Sequence, residues 1–116
     1  MKQKIKIFPL SVNKAYQGRK TKSSHYRSFE IYANQLLKDV DIPKKGNLQI
    51  HYVFGFSSRA SDVDNPIKPF QDVLQSKYNF NDSRIYRIIA DKEIVKKGEE
   101  FIQFEIKLHK NDNICK

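Results

Sequence analysis

The sequence predicts an α+β fold, a single small domain in which two helices pack on one mixed β-sheet. The chain has 116 residues, a length that fits one domain. Segments with apolar residues at every second position alternate with segments in which apolar residues recur every three or four positions. Along the chain these segments follow the order β-α-β-α-β-β, which favours a mixed sheet covered by two helices.

The first half of the chain predicts a strand, a polar loop and a helix. Residues 4–7 alternate Lys and Ile, the pattern of a half-buried strand. The segment 9–24 is polar and basic, and Ser23 or Ser24 is expected to cap the helix that follows. The apolar stripe of this helix consists of Phe29, Tyr32, Ala33, Leu36, Leu37 and Val40. The helix is expected to stop at 43–46.

The second half predicts a strand, a second helix and two further strands. Apolar residues alternate over 48–56, so this segment is a strand. The second helix begins near Pro66, with Asp64 or Asn65 as its N-cap. Its core side holds Ile67, Phe70, Val73 and Leu74, and its other side holds Lys68, Asp72 and Gln75.

The last two strands are predicted at 85–95 and 101–108, joined by a hairpin turn at 96–99. The domain is then expected to span 1–109, because periodic apolar patterning ends there. Residues 110–116 are expected to form a frayed C-terminal tail.

The charge of the chain favours a polyanionic partner. Lys and Arg total 22 against 13 Asp and Glu, a formal net charge of +9. Such a positive field attracts nucleic acid first and an anionic membrane surface second. No apolar run approaches the length of a signal peptide or a membrane span, so no membrane contact and a cytoplasmic location are expected. The single cysteine, Cys115, excludes an internal disulfide and a thiolate metal site.

Several catalytic motifs are missing from the sequence. It contains no Gly-rich phosphate loop, no Ser-centred nucleophile elbow and no His-Glu-x-x-His zinc helix. These absences argue against an NTPase, a serine hydrolase and a zinc protease, and no nucleotide cofactor is expected.

Three aspartates predict a divalent metal site. Asp62 and Asp64 are two residues apart in an extended segment, so their carboxylates project to the same side. Like charges that close repel each other unless a cation such as Mg²⁺ lies between them. Asp82 arrives from the turn after the second helix and is expected to complete the cluster. The alternative is that Asp62 and Asp64 are ordinary helix-capping, solvated acids.

Lys68 follows Asp64 by four residues and is expected on the same face of the second helix. Its ammonium is suited to contact a scissile phosphate or to stabilise charge in the transition state. The alternative is a plain salt bridge with Asp72 or Asp64. Asp72 is expected to orient Lys68, with direct metal ligation as the alternative.

A basic loop and several arginines predict contacts to a nucleic-acid backbone. Cations, hydroxyls and an aromatic side chain are mixed between residues 13 and 27, a composition that suits phosphate contacts and base stacking. An ordinary solvated loop is the alternative. The residues expected to bind DNA are Asn13, Lys14, Tyr16, Arg19, Lys20, Lys22, Arg27, Arg59, Arg84 and Arg87.

With these residues in place, the sequence resembles the RusA family of Holliday junction resolvases, the crossover junction endodeoxyribonucleases often carried by phages. The main motif reads Asp62-x-Asp64-Asn65-x-x-Lys68-x-x-x-Asp72-x-Leu74. The turn Asn81-Asp82-Ser83-x-Ile85 follows it, and the element Pro9-x-Ser11-x-Asn13-x-x-Tyr16 precedes it. The resemblance covers nearly the whole chain.

This resemblance implies a homodimer that binds four-way DNA junctions and nicks two strands symmetrically in recombination and repair. It implies Mg²⁺ as cofactor, with Mn²⁺ as a possible substitute. Asp62, Asp64 and Asp82 match the metal-binding carboxylates of the family, and Lys68 matches its catalytic lysine. Asn65 is a supporting residue, and Asn81, where the family often has an acid, is a possible secondary ligand.

Two other functions stay open from the sequence. One is a non-enzymatic nucleic-acid-binding module whose acids only cap a helix. The other is a nuclease that acts on flaps, replication forks or structured RNA. The nuclease hypothesis requires the carboxylates of residues 62, 64 and 82 to come within reach of one ion.

Overall fold

The computed structural model describes residues 1–11, 16–17 and 21–110, and at 16–17 and 21–22 it describes the backbone alone. The elements are β1 (Lys2–Ile5), β2 (Tyr16–Gln17), β3 (Thr21–Lys22), α1 (Ser24–Leu36), β4 (Leu48–Phe56), α2 (Ile67–Tyr78), a 3-10 turn (Asp82–Arg84), β5 (Ile85–Ile94) and β6 (Phe101–Leu108). A mixed four-stranded sheet with two helices on it confirms the predicted fold class. Apart from Lys110, the predicted tail lies outside the described residues.

The order of strands in the sheet is β1-β6-β4-β5. β4 is antiparallel to β6 and parallel to β5, so α2 is the crossover between two parallel neighbours. The predicted hairpin at 96–99 is wrong in one respect. Its turn forms, with Glu99 N donating to Lys96 O over 2.9 Å, but β5 and β6 lie on opposite sides of β4. β4 takes this central position because its alternating apolar side chains are the most completely buried.

The core lies between the sheet and the two helices. Phe70 of α2 makes edge-to-face contacts with Phe29 of α1, Tyr52 of β4 and Phe104 of β6, with ring centroids 6.4, 6.3 and 5.4 Å apart. Burial of each such side chain contributes about 1.5–3 kcal/mol to folding. These aromatic contacts therefore hold α2 against the sheet.

The predicted start of α1 is confirmed, but its predicted apolar stripe is partly wrong. Ser23 is the N-cap, and its hydroxyl oxygen accepts a hydrogen bond from Tyr26 N over 3.2 Å. Tyr32 and Val40 are exposed at 49% and 38%. The helix ends at Leu36, so Val40 lies beyond it, and Tyr26 takes the buried position one turn before Phe29.

The predicted N-cap of α2 is also wrong. The helix begins at Ile67 with Pro66 as its cap residue, and no side chain caps it. Instead Ile67 N donates to the backbone oxygen of Asp64 over 3.1 Å, in a turn that precedes the helix. α2 ends where Asn79 adopts a left-handed conformation, with φ of 55°, which Asn tolerates better than most residues.

Two features near the N-terminus differ from the sequence prediction. β1 pairs over Lys2–Ile5 rather than 4–7, although Ile7 keeps the alternation of buried side chains. The segment predicted as a polar loop contains a short antiparallel pair, β2 with β3. Among the described residues, neither helix is long and apolar enough to cross a bilayer.

The face of the sheet opposite the helices carries polar and cationic side chains. His51 Nε2 lies 2.7 Å from Asp91 Oδ2, and Lys4 Nζ lies 4.2 Å from the ring centroid of Phe101. Phe101 packs over Gly55, where an added Cβ would lie 2.3 Å from the ring. Glycine at position 55 therefore makes room for this ring.

Candidate functional site

The carboxyl ends of two strands and the first turns of both helices meet at one end of the domain. β1 and β4 are both antiparallel to β6, so they run in the same direction and end on the same side. A cavity of about 400 Å³ lies there, lined by Phe8 to Ser11, His25, Phe56, Ser61, Asp62, Asn65 and Pro66. Ligands commonly bind beyond the carboxyl ends of strands and at helix N-termini.

Asp62 and Asp64 lie at this end of the domain, in the loop between β4 and α2. Both are exposed, and Asp62 lines the cavity. Asn65 Nδ2 lies 3.5 Å from Asp62 Oδ2, a long hydrogen bond that keeps the two side chains adjacent. Because α2 has no side-chain cap, neither carboxylate serves as the helix cap. The positive end of the helix dipole still favours negative charge at this position.

Lys92 holds the loop that carries the two acids, a role that no sequence pattern indicated. Its Nζ donates to the carbonyl oxygens of Arg59 and Ser61 over 3.1 and 2.7 Å. Lys92 lies near the end of β5, where its neighbour on β4 is Phe54. A single lysine thus ties the loop before Asp62 to the edge of the sheet.

Lys68 and Asp72 form the contact that the sequence predicted as one alternative. Lys68 Nζ lies 3.7 Å from Asp72 Oδ2, and 65% of the lysine side chain is exposed. Asp72 is less exposed and lies above buried Tyr52, whose hydroxyl donates to Gln71 Oε1 over 2.8 Å. Burial raises the pKa of Tyr52, and the charge of Asp72 raises it further. Asp72 is thus placed to hold the Lys68 ammonium one turn after Asp64.

Asp82 lies at the other end of α2. Its backbone N–H donates to Gln75 Oε1 over 3.1 Å, which places it beside the last turn of the helix. About 12 Å of helical rise separates Ile67 from Gln75. Asn81 caps the 3-10 turn, with its Oδ1 accepting from Ser83 N over 2.8 Å.

Within the described part of a single chain, no three His, Cys, Asp or Glu side chains are grouped closely enough to hold one metal ion. Asp62 and Asp64 lie in the same exposed loop, whereas Asp82 lies at the other end of α2. The three-carboxylate site therefore stays a prediction.

A larger cavity of about 630 Å³ lies near the C-terminal end of α2. Asp39, Lys77 and Arg84, which line it, are engaged by the protein itself. Lys77 Nζ lies 2.7 Å from Asp39 Oδ1, and this contact lowers the pKa of Asp39. Arg84 donates to the carbonyl oxygens of Pro43 and Gly46 over 2.7 and 3.0 Å. We therefore place the candidate site at the cavity beside Asp62.

The residues predicted to bind DNA divide into three groups. Arg27, Arg59 and Arg87 are exposed, and Arg59 precedes the acidic loop. Arg84 has the structural contacts given above, and its contact with DNA stays a prediction. Asn13, Lys14, Arg19 and Lys20 lie outside the described residues, as do the side chains of Tyr16 and Lys22.

No protein-family model matches this chain, and a search of curated proteins finds no match either. The resemblance to the RusA family therefore rests on the residues quoted from the sequence, and it stays a prediction.

Proposed function

We propose that this protein is a Mg²⁺-dependent endodeoxyribonuclease of the RusA type that resolves four-way DNA junctions in the cytoplasm, in recombination and repair. One observation carries the proposal. Asp62 and Asp64 are both exposed in the loop before the positive end of α2, and the helix does not use them as caps. A chain with a net charge of +9 that exposes two acids in the loop beside a cavity suits a metal-dependent phosphodiesterase.

The donor set at this position fits Mg²⁺. Magnesium is usually held by one or two carboxylates, and substrate phosphate and water supply its other ligands. Asp62 and Asp64 provide two carboxylates that face solvent, where a DNA phosphate has access. Bound there, Mg²⁺ would activate water and stabilise the leaving oxygen. The expected products carry a 5′-phosphate and a 3′-hydroxyl.

Lys68 supports the proposal from the first turns of α2. Its exposed ammonium is four residues beyond Asp64 and is held at 3.7 Å from Asp72. A positive charge in this position offsets the charge that develops on the phosphate. Asp72 acts as a positioning residue because it limits where that ammonium lies. Arg27, Arg59 and the basic loop before α1 supply the sequence-independent contacts to the DNA backbone.

The proposed protein is a homodimer, and β5 is the surface that suits its interface. In the described sheet β5 is an edge strand of ten residues, and Tyr86, Ile88 and Ile94 are exposed along it. A long edge strand with exposed apolar side chains favours pairing with another strand. Two copies of β5 could pair antiparallel around a two-fold axis at Ala90. Arg87 of each copy would then lie opposite Glu93 of the other, and such pairs of opposite charge are favourable. If the two-fold axis of the strand pair passed through Asp91 instead, the two Asp91 side chains would lie opposite each other, which is unfavourable.

This pairing also accounts for the position of Asp82. The start of one β5 would lie along the end of the other, and Asp82 comes three residues before β5. The end of β5 is tied by Lys92 to the loop that precedes Asp62. We therefore propose that Asp82 of the partner subunit completes each site at Asp62 and Asp64. A four-way junction is close to two-fold symmetric, so such a dimer presents one site to each of two opposed strands.

The test is a titration of Mg²⁺, and then of Mn²⁺, with purified protein and an end-labelled four-way junction at fixed salt. We expect paired symmetric nicks whose ends a DNA ligase can rejoin. Unlabelled duplex, fork and structured RNA serve as competitors, since affinities compare only at one salt concentration. Junction binding without nicking at any metal concentration would leave a non-enzymatic binder. Preferred cutting of RNA or forks would keep the nuclease and change its substrate.

A further inference from the structure

The cavity beside Asp62 has apolar walls that phosphodiester hydrolysis does not require. Phe8, Leu10, Phe56 and Pro66 line it, and its volume is about 400 Å³. Phe8 is 63% exposed, although it directly follows the buried Ile7. An aromatic ring held open to solvent at the mouth of a cavity is a surface on which a flat ligand can stack.

The rim of the same cavity is polar. Asp62, Asn65 and His25 line it together with the apolar walls, so carboxylate, amide and imidazole groups converge on one space. His25 lies in the first turn of α1, and Asn65 lies two residues before the start of α2. A pocket with apolar walls and a few convergent polar groups is typical of a small planar ligand rather than of a bare phosphate.

We propose that this cavity binds one unstacked nucleobase of the DNA strand whose phosphate lies at Asp62 and Asp64. The inference rests on the proposed function for the position of that phosphate. The base flanking a phosphate is covalently tied to it through one sugar, and Asp62 belongs both to the carboxylate pair and to the cavity rim. Bases at the branch point of a junction have already lost part of their stacking, which reduces the cost of moving one into a pocket.

This arrangement gives two groups separate roles in specificity. Phe8 stacks on the face of the base, a contact that every base can make. Asn65 and His25 face its edge, where hydrogen bonds distinguish one base from another. The protein should therefore prefer certain bases at one position next to the nick while tolerating any sequence farther away.

The experiment removes single bases rather than protein side chains alone. Four-way junctions with one abasic site at successive positions around the nick are bound to the wild-type protein and to Phe8→Ala in Ca²⁺, a metal used here to measure binding without cutting. For the wild type we expect one position at which base removal weakens binding about 10- to 100-fold, the range for one base–aromatic stack. For Phe8→Ala that position should lose its sensitivity, and Phe8→Trp should restore it.

A matched control is Tyr32→Ala, which removes another exposed aromatic ring, 49% exposed on α1. It should leave the abasic profile of the wild type unchanged. The proposal is overturned if no position is sensitive, or if Phe8→Ala weakens binding equally at every position. If one position is sensitive to base removal but the protein never nicks DNA, the proposed function is wrong and the base pocket stands. If the protein nicks DNA but no position is sensitive, the base pocket is wrong and the proposed function stands.

Discussion

The two ends of α2 carry acidic residues in different surroundings. At the N-terminal end, Asp62 and Asp64 are exposed, and no side chain caps the helix. At the C-terminal end, Gln75 holds the backbone of Asp82, Lys77 is paired with Asp39, and Arg84 binds backbone carbonyls. Asp82 is itself exposed, so the comparison teaches that the two ends differ in how the neighbouring groups are engaged and not in the exposure of the acids. One end keeps its charges open to a ligand, whereas the other uses most of its polar groups to hold loops.

The largest expected effect comes from the N-terminal end. Asp64→Asn removes one of two carboxylates from the proposed metal site, and we expect nicking to fall at least about 100-fold. Junction binding should persist or improve, because one negative charge near the phosphate is lost. Nicking gels and binding titrations at one salt concentration measure both. Asp41→Asn, which neutralises another exposed acid, is the control, and wild-type nicking by Asp64→Asn would refute the site.

The next test asks whether Asp64 of one subunit and Asp82 of the other act in the same site of the proposed dimer. Asp64→Asn and Asp82→Asn should each be inactive alone, but mixed dimers would contain one intact site. Equal mixing after joint refolding should restore roughly a quarter of wild-type nicking, since about half the dimers are mixed and each has one of two sites.

The control for subunit mixing pairs Asp62→Asn with Asp64→Asn. Both changes lie at the same end of α2, so every site in a mixed dimer carries a defect and no activity should return. If the Asp64 and Asp82 variants also fail to complement, Asp82 does not act on the partner's site.

The β5 interface predicts a charge-dependent dimer. Arg87→Glu would place like charges opposite each other twice, and we expect the dimer Kd to rise by about 10- to 100-fold. Adding Glu93→Arg to the same chain should restore the dimer, because each pair is reversed. Light scattering over a dilution series measures both variants. Lys107→Glu, an equal charge change on β6, should leave the dimer unchanged, and an unaffected Arg87→Glu dimer would place the interface elsewhere.

Lys92 is expected to matter for the position of the acidic loop. Lys92→Met keeps the length of the side chain and removes both hydrogen bonds to the loop, which should lower the free energy of unfolding by about 1 kcal/mol. We expect kcat for nicking to fall about 10-fold with a smaller change in KM, since the loop still binds but is less well oriented. Lys96→Met is the matched control in the adjacent turn. If kcat falls equally in Lys92→Met and Lys96→Met, the loss of a positive charge explains the effect and the hydrogen bonds to the loop do not.

The smallest effect is expected at the C-terminal end of α2. The ion pair with Lys77 lowers the pKa of Asp39, so its contribution to stability is present at neutral pH. That contribution should decrease as the pH falls from the ordinary value for Asp, about 3.9, through the lower pKa of Asp39 in the folded protein. Asp39→Asn should therefore lower Tm slightly at pH 7 and by less at pH 3, with nicking intact. Thermal unfolding at both pH values measures this, and an equal loss at pH 3 would contradict the ion-pair explanation.

The sequence predicted the features that depend on local periodicity. Alternation over 48–56 and 101–108 and the apolar stripe of α2 are confirmed, because each of these elements buries one regular face. The placement of Asp62 and Asp64 in one exposed loop follows from their spacing, but the segment turns instead of being extended, with Asn65 N donating to Asp62 O over 3.4 Å. The position of Asp82 depended on the length and direction of α2, which the motif does not encode.

The errors arose where distant segments compete for the same position. The hairpin at 96–99 was wrong because β4 pairs with both β5 and β6 and separates them. The N-cap at Asp64 was wrong because a backbone turn satisfies Ile67 N instead. Lys92 gave no signal, since a lysine on an edge strand is ordinary and its partners lie 31 and 33 residues away.

The pairing of β1 with β6 has a consequence for synthesis of the chain. Lys2 to Ile5 lie opposite Ile102 to Glu105, and the amino group of Met1 donates to Ile106 O over 3.0 Å. β1 therefore leaves the ribosome well before β6, and its hydrogen bonds to β6 cannot form until that strand has been synthesised. Until then its side is an unpaired edge, so nascent chains that stall before residue 101 should depend on chaperones more than chains that include β6.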